Sequence, residues 1–234
     1  MIILPTEPVP AVLDLTGNNL LIMGDYGIGK SGLLASTGYL LADPEDKLRA
    51  YPDLLRVSLK TWQDHKDFAT AVSKKPPDSF KGIGLDSLNI SYDQALTWCM
   101  ENIKFAGNKL AHPSENPQLA YPRITHEFIS WLRGITFLGY HIVATCHVNV
   151  TEIRDKKGNL YNRWIPSFTG GSATSTYASV LKVFPLVGFM TLDEVTRPST
   201  RTVMGKVVVD LRSDASRVDE TQVSRVIHFS QNPN

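Results

Sequence analysis

Eight consecutive residues, Gly24-Asp25-Tyr26-Gly27-Ile28-Gly29-Lys30-Ser31, match the pattern G-x-x-x-x-G-K-[ST] and follow the apolar run Leu20-Leu21-Ile22-Met23. The chemistry such a pattern suits is the holding of phosphate. Glycines let the backbone curl until successive N–H groups face an anion. A helix starting near Lys30 turns the positive end of its dipole on that anion. Lys30 can then reach the terminal phosphates as a point charge, and the Ser31 hydroxyl can ligate Mg²⁺. With Gly32 at the helix start, residues 24–32 are the expected contacts for ATP and its metal. The plainer alternative is a glycine-rich turn between a strand and a helix.

Three further positions fall where strands end, the side on which open α/β sheets bind ligands. Asp86, after Ile83-Gly84-Leu85, is the natural second Mg²⁺ anchor, or else a helix cap. Glu45 could orient and deprotonate an attacking water, with Asp43 and Asp46 competing for that work. His147 closes a strand and could bond the terminal phosphate and report its loss, or be an ordinary satisfied polar residue. Beyond it, Arg154, Lys156, Lys157 and Arg163 interleave with Tyr161, Trp164 and Phe168. Cations that neutralise backbone phosphates and rings that stack on bases suit single-stranded nucleic acid; a solvated hairpin with inward aromatics is the alternative.

To position these groups the chain must alternate strands and helices. Strands are expected at 20–23, Tyr39–Ala42, Leu54–Leu59, Gly82–Leu85 and His141–His147. Helices are expected over Ser31–Gly38, Trp62–Val72, Tyr92–Ile103 and a strongly amphipathic segment through Phe128, Trp131, Leu132, Ile135 and Leu138. Gly107 and the prolines at 113, 117 and 122 predict mostly loop from Ala106 to Arg123. Val150–Ile153 and Leu160–Trp164 suggest a hairpin, and Pro166–Ser175 a loop. Val180–Leu192, Arg201–Leu211 and Val223–Phe229 read as antiparallel strands extending the sheet. The fold class is therefore α/β, a mainly parallel sheet flanked by helices with antiparallel strands in the last third. A single domain over 1–234 is expected, with an N-terminal arm at 1–17, a hairpin and loop at 148–176 and C-terminal strands at 177–234.

Composition is that of an ordinary globular chain: 234 residues, 42% hydrophobic, 20% charged, net charge +1, mean hydropathy -0.12. So near-neutral a chain must bind nucleic acid through a local basic surface. Cys99 and Cys146 are far apart and sit in apolar surroundings, predicting buried free thiols. No run is long enough to span a membrane, and Met1-Ile2-Ile3-Leu4-Pro5 lacks a signal peptide's basic start, so a cytoplasmic location without membrane contact is expected.

With Gly24 to Ser31, Leu85-Asp86-Ser87 and Thr145-Cys146-His147 together, the chain resembles the RecA-like P-loop ATPases of bacteriophages. It looks most like the phage nucleotide-binding proteins that include core-only, RecA-related single-strand annealing proteins. The resemblance runs from about Asn18 to Phe229. It implies a RecA-like core, Asp86 as the Walker B acid, and Glu45, in Asp43-Pro44-Glu45, as the base. It also implies two DNA-facing segments, Gly107–Arg123 and Asn149–Ala173, and the host cytoplasm as location. Relatives often carry a C-terminal basic cluster serving a neighbour's ATP; here Arg201 and Arg212 are the candidates for that part. The implied function is an ATPase with ATP and Mg²⁺ that binds single-stranded DNA as a homo-oligomer, filament or ring, in annealing or strand exchange. A single-strand DNA-binding protein is a candidate partner. A P-loop kinase for a small molecule or nucleotide, and an ATP-switched binding module with little turnover, are the competing readings.

Overall fold

The computed structural model describes residues 18–76, 78–105, 108–110, 112–154, 158–168, 173–196, 200–203, 206–209 and 221–231. In chain order these form β1 (Leu20–Gly24), α1 (Lys30–Ala35), β2 (Leu40–Asp43), a 3-10 turn (Leu48–Ala50), β3 (Arg56–Ser58), α2 (Trp62–Ser73), β4 (Ile83–Leu85) and α3 (Leu88–Asn102). Next come β5 (Lys104–Phe105), β6 (Asn108–Lys109), α4 (Pro117–Thr136), β7 (Ile142–Arg154), β8 (Leu160–Pro166) and α5 (Ala173–Leu181). The chain continues through β9 (Leu186–Thr196), β10 (Thr200–Val203), β11 (Lys206–Val209) and β12 (Thr221–Gln231).

The main sheet has the order β12-β9-β1-β7-β4-β2-β3, with β8 paired to β7. From β9 to β3 every neighbouring pair is parallel, and β12 runs antiparallel on the β9 edge. This is the mainly parallel sheet flanked by helices, with an antiparallel strand added from the last third, that is expected from the sequence. Central strands are buried on both faces, and side chains alternate between them. In β1, Leu21 and Met23 join a cluster with Trp62, Leu88, Tyr92 and Phe128, the side covered by α2, α3 and α4. Leu20 and Ile22 join Leu34 of α1, Leu41, Val143 and Met190 on the other. Burying each such aliphatic side chain contributes roughly 1.5–3 kcal/mol. Cys99 and Cys146 are buried free thiols, as expected.

Several expectations are corrected. The segment before Arg123 is not all loop, because α4 already starts at Pro117. Asn116 caps it by accepting from the Leu119 N–H at 3.2 Å, and Pro117 sits where a helix N–H has no partner anyway. Pro122 lies inside the helix on an exposed position, where water can meet the carbonyl it leaves unbonded. Val180–Leu192 is not one antiparallel strand. Its start belongs to α5, Pro185 marks the break, and β9 then runs parallel to β1. Arg201–Leu211 is likewise a hairpin, β10 against β11, rather than one long strand. The short β5–β6 pair was not anticipated. The arm at 1–17 falls outside the described residues.

Between α2 and α4 sits a buried histidine. His65 is edge-on to Trp131 (centroids 4.9 Å apart) and tilted against Trp62 (5.2 Å). Gln94 donates to the Leu59 carbonyl, which turns its Oε1 toward His65 Nε2 at 2.7 Å and makes that nitrogen the proton carrier. Nδ1 is buried without a hydrogen bond. Burial pushes the imidazole down to about 4 from 6.5, against the opposing pull of Gln94. The native state therefore refuses a proton that the unfolded chain accepts below 6.5. Stability from this group is complete above that pH and is lost as pH falls toward 4, by about 3 kcal/mol in all. Denaturant unfolding of wild type and His65→Gln across pH 7.5 to 4 should show the gap between them narrowing by about that much.

Candidate nucleotide site

The carboxyl ends of β1, β7, β4 and β2 line up, and the phosphate loop leaves the first of them. Gly24, the last residue of β1, stands in register with His147 on one side and Met190 on the other. The fit is close: a Cβ on Gly24 would lie 2.8 Å from the Met190 carbonyl oxygen. Gly29 enters α1 at φ 100, a left-handed conformation that glycine takes without strain. These two glycines turn the chain so that Lys30, at the first position of α1, points back into the loop.

The Lys30 ammonium is buried and donates to the carbonyls of Gly24 (2.9 Å) and Asp25 (2.7 Å), with His147 Nδ1 at 3.2 Å. Burial pulls its pKa below the ordinary lysine value, and Asp86 is the largest opposing influence. An ammonium has no lone pair, so Nδ1 must be the acceptor and Nε2 carries the imidazole proton. Nε2 lies 3.7 Å from Glu45 Oε1. Tyr26 stacks on one face of the ring at 3.8 Å and 14°, and Asn89 Oδ1 holds the backbone by accepting from the His147 N–H at 2.7 Å.

Of the three acids near β2, Glu45 is the one brought to this cluster. Asp43 is buried and accepts from the backbone N–H groups of Lys47 (3.2 Å) and Leu48 (2.9 Å), which shapes the following turn. Asp46 pairs with Arg56 at 2.9 Å, away from the loop. Glu45 Oε1 instead accepts from Ser87 Oγ at 3.0 Å, while Oε2 is ion-paired with Lys47. His147 above all, then Lys47 and Ser87, hold the Glu45 carboxyl at about 2 despite its burial. Asp86, directly after β4, accepts from Thr145 Oγ1. The cap of α3 is Ser87, so the alternative of Asp86 as that cap does not hold. The oxygens of Asp86 and Ser31 are the hard donors that Mg²⁺ prefers, and the inward-turned loop with its lysine fits a nucleotide's phosphates.

A family profile described as an AAA domain matches residues 16–234, nearly the whole chain. The chain belongs to that family. It is thus an AAA-domain protein, built on a P-loop. No curated protein sequence matches it. Among solved structures it is similar to an ATPase of a bacterial type III secretion system, at 12% identity and TM-score 0.44 over 75% of this chain and 51% of that one. The chain thus spans about half the length of that ATPase. It is also similar to a RadB recombinase (11%, TM-score 0.39, 79% and 78% covered). A KaiC-like protein from Pyrococcus horikoshii OT3 is similar at 11% identity and TM-score 0.43, with 93% and 90% covered.

Of the remaining sequence candidates of this AAA domain, Arg154, Tyr161, Arg163 and Trp164 lie along the β7–β8 hairpin. Val150 faces Trp164 across the ladder and Arg154 faces Leu160, so by the pleat these four share one face. All four are exposed; Trp164 is 41% exposed and keeps one side on Phe189, with centroids 5.1 Å apart. Tyr161 and Arg163 stand opposite Ile153 and Thr151. Lys156, Lys157 and Arg212 lie outside the described residues, and Arg201 is on β10. Phe168 is buried against Tyr92 and Phe128, which makes it core and not a stacking surface.

Four site residues were missed in the sequence: Lys47, Ser87, Asn89 and Thr145. Thr145 left a signal, a polar side chain within the buried run 142–148; the others are defined by what the fold brings next to them. Thr145→Val keeps the shape but leaves a buried Asp86 oxygen without its donor. Thermal or denaturant unfolding should show a loss of roughly 1–3 kcal/mol.

Proposed function

We propose that this AAA domain hydrolyses ATP with Mg²⁺ to control its grip on single-stranded DNA, working as a homo-oligomer in phage-type strand annealing or exchange. Lys30 and the backbone of residues 24–32 hold the phosphates, Ser31 and Asp86 hold the metal, and Glu45 prepares the water. Bound Mg²⁺ would neutralise charge developing on the phosphate oxygens. His147 meets the terminal phosphate from the adjoining strand, its orientation fixed by Tyr26 and Asn89.

The observation that carries this reading is the continuity of β7. It is one strand of 13 residues: the first half sits between β1 and β4, and the second half is an arm of the exposed hairpin. His147 stands at the junction, and its carbonyl accepts from the Ser167 N–H at 2.7 Å, tying the return strand to the same residue. A histidine against the phosphate lysine is thus part of the backbone that presents Arg154 and Trp164. A cation and an aromatic ring on one exposed face suit a phosphodiester strand with unstacked bases.

ATP hydrolysis with and without single-stranded DNA, with Lys30→Ala as blank, tests the coupling. DNA should stimulate hydrolysis, and Glu45→Gln should lower it by about 10²–10⁴ while nucleotide binding persists. Trp164→Ala should weaken DNA binding by about 1–3 kcal/mol, and Arg154→Ala should reduce the salt slope by about one. Hydrolysis indifferent to DNA would sink the coupling and turn the search to kinase acceptors, whereas tight ATP binding without turnover would favour a switch.

A further inference from the structure

Lys47 is the charged member of the Glu45 cluster with no part in the reading above. Its backbone is pinned: the N–H donates to Asp43 Oδ1, and the next N–H, of Leu48, donates to Asp43 Oδ2. Asp46 beside it is fastened to Arg56. The side chain is not pinned in this way. It is 58% exposed, against 11% for its partner Glu45, so the ammonium lies on the solvent side of the carboxylate. Glu45 Oε1 already faces Ser87 and His147, and Oε2 is the oxygen that Lys47 covers. A carboxylate with one oxygen turned to Ser87 and His147 and the other under an ammonium has less left for drawing a proton from water.

We propose that Lys47 is a restraining residue, a cationic latch that occupies the outward oxygen of Glu45 and holds hydrolysis below what the site could otherwise reach. This rests on Glu45 acting as the base. Lys47 touches neither phosphate nor metal in this role and acts through the carboxylate it covers. Opening the latch requires no covalent step: the ammonium swings out on its four-carbon stem into water, its pinned backbone staying in place, and Oε2 is left open to a water molecule. A partly exposed ion pair opens at modest cost, so the restraint is a graded brake and not an absolute block.

Steady-state ATP hydrolysis without DNA tests the latch in the full chain. Lys47→Met keeps the aliphatic stem and removes the charge, and Lys47→Gln is the second variant. In both, kcat should rise about two- to five-fold, the range that breaking such a pair permits, while KM stays within about two-fold. Lys47→Arg, which keeps the cation, should remain at the wild-type rate. Adding Lys47→Met to Glu45→Gln should give no rise at all. A kcat that falls or stays level in both Lys47 variants, with Glu45→Gln inactive, would overturn the latch and leave the base intact. A fully active Glu45→Gln would overturn the assignment of the base itself, and the latch with it. A purely structural role for Lys47 cannot produce a faster enzyme whose gain vanishes with Glu45.

Discussion

The site depends on a single buried charge. An ammonium withdrawn from water costs several kcal/mol unless its hydrogens are met, and Lys30 meets its own with two loop carbonyls and His147 Nδ1. Those partners belong to the end of β1, the loop after it and the neighbouring strand β7. Satisfying one cation therefore fixes how loop and strand sit together. The consequence passes outward, since a nitrogen that must accept from lysine leaves the other ring nitrogen as the donor. His147 thereby presents an N–H toward Glu45, and the acidity of that carboxyl follows. One buried charge sets the tautomer of a second residue and the protonation of a third.

That chain of influence needs four strand ends side by side, which is a matter of topology. β7 lies between β1 and β4, so His147 is beside Gly24 while Thr145 is within reach of Asp86. β2 lies beyond β4, and the turn after it carries Glu45 back to Ser87. Because the strands are parallel, all of these ends open on one side. Helices on both faces keep water from the sheet beneath, so the charges collected there interact strongly.

Much of this was legible in the chain itself. The spacing from Gly24 to Ser31 specifies a loop with a mechanism, and alternating strands and helices specify a parallel sheet. Asp86 and His147 could be singled out because each ends an apolar strand. What was not legible depends on pairing between distant segments. Nothing local tells Glu45 from Asp43 and Asp46; the choice follows from where Ser87 and Arg56 arrive in space. Likewise β9 reads as an antiparallel strand, as it is to β12, and only the fold shows that its other neighbour is β1, to which it is parallel. The misjudged helix start at Pro117 has a different cause: proline signals a break, yet at the first turn of a helix it forfeits no bond.

The same strand that fixes His147 also fixes what a phosphate-dependent shift could achieve in the proposed function. From Val148 to Arg154 the strand runs seven residues, a lever of roughly 23 Å at the usual rise. Both arms of the hairpin are bonded to each other along that length, and both are fastened at His147, so it bends less readily than a single chain. A rotation of about 5° at the root would carry its tip roughly 2 Å, enough to unseat a base from a ring. The motion at His147 itself would stay well under an ångström, within what exchange of one hydrogen bond for another allows. The size of any such effect is bounded by how differently the two nucleotide states treat His147, since a ligand can bias a conformation only by its differential affinity for it. A lysine shared between loop carbonyls, histidine and phosphate is a physical source of that difference.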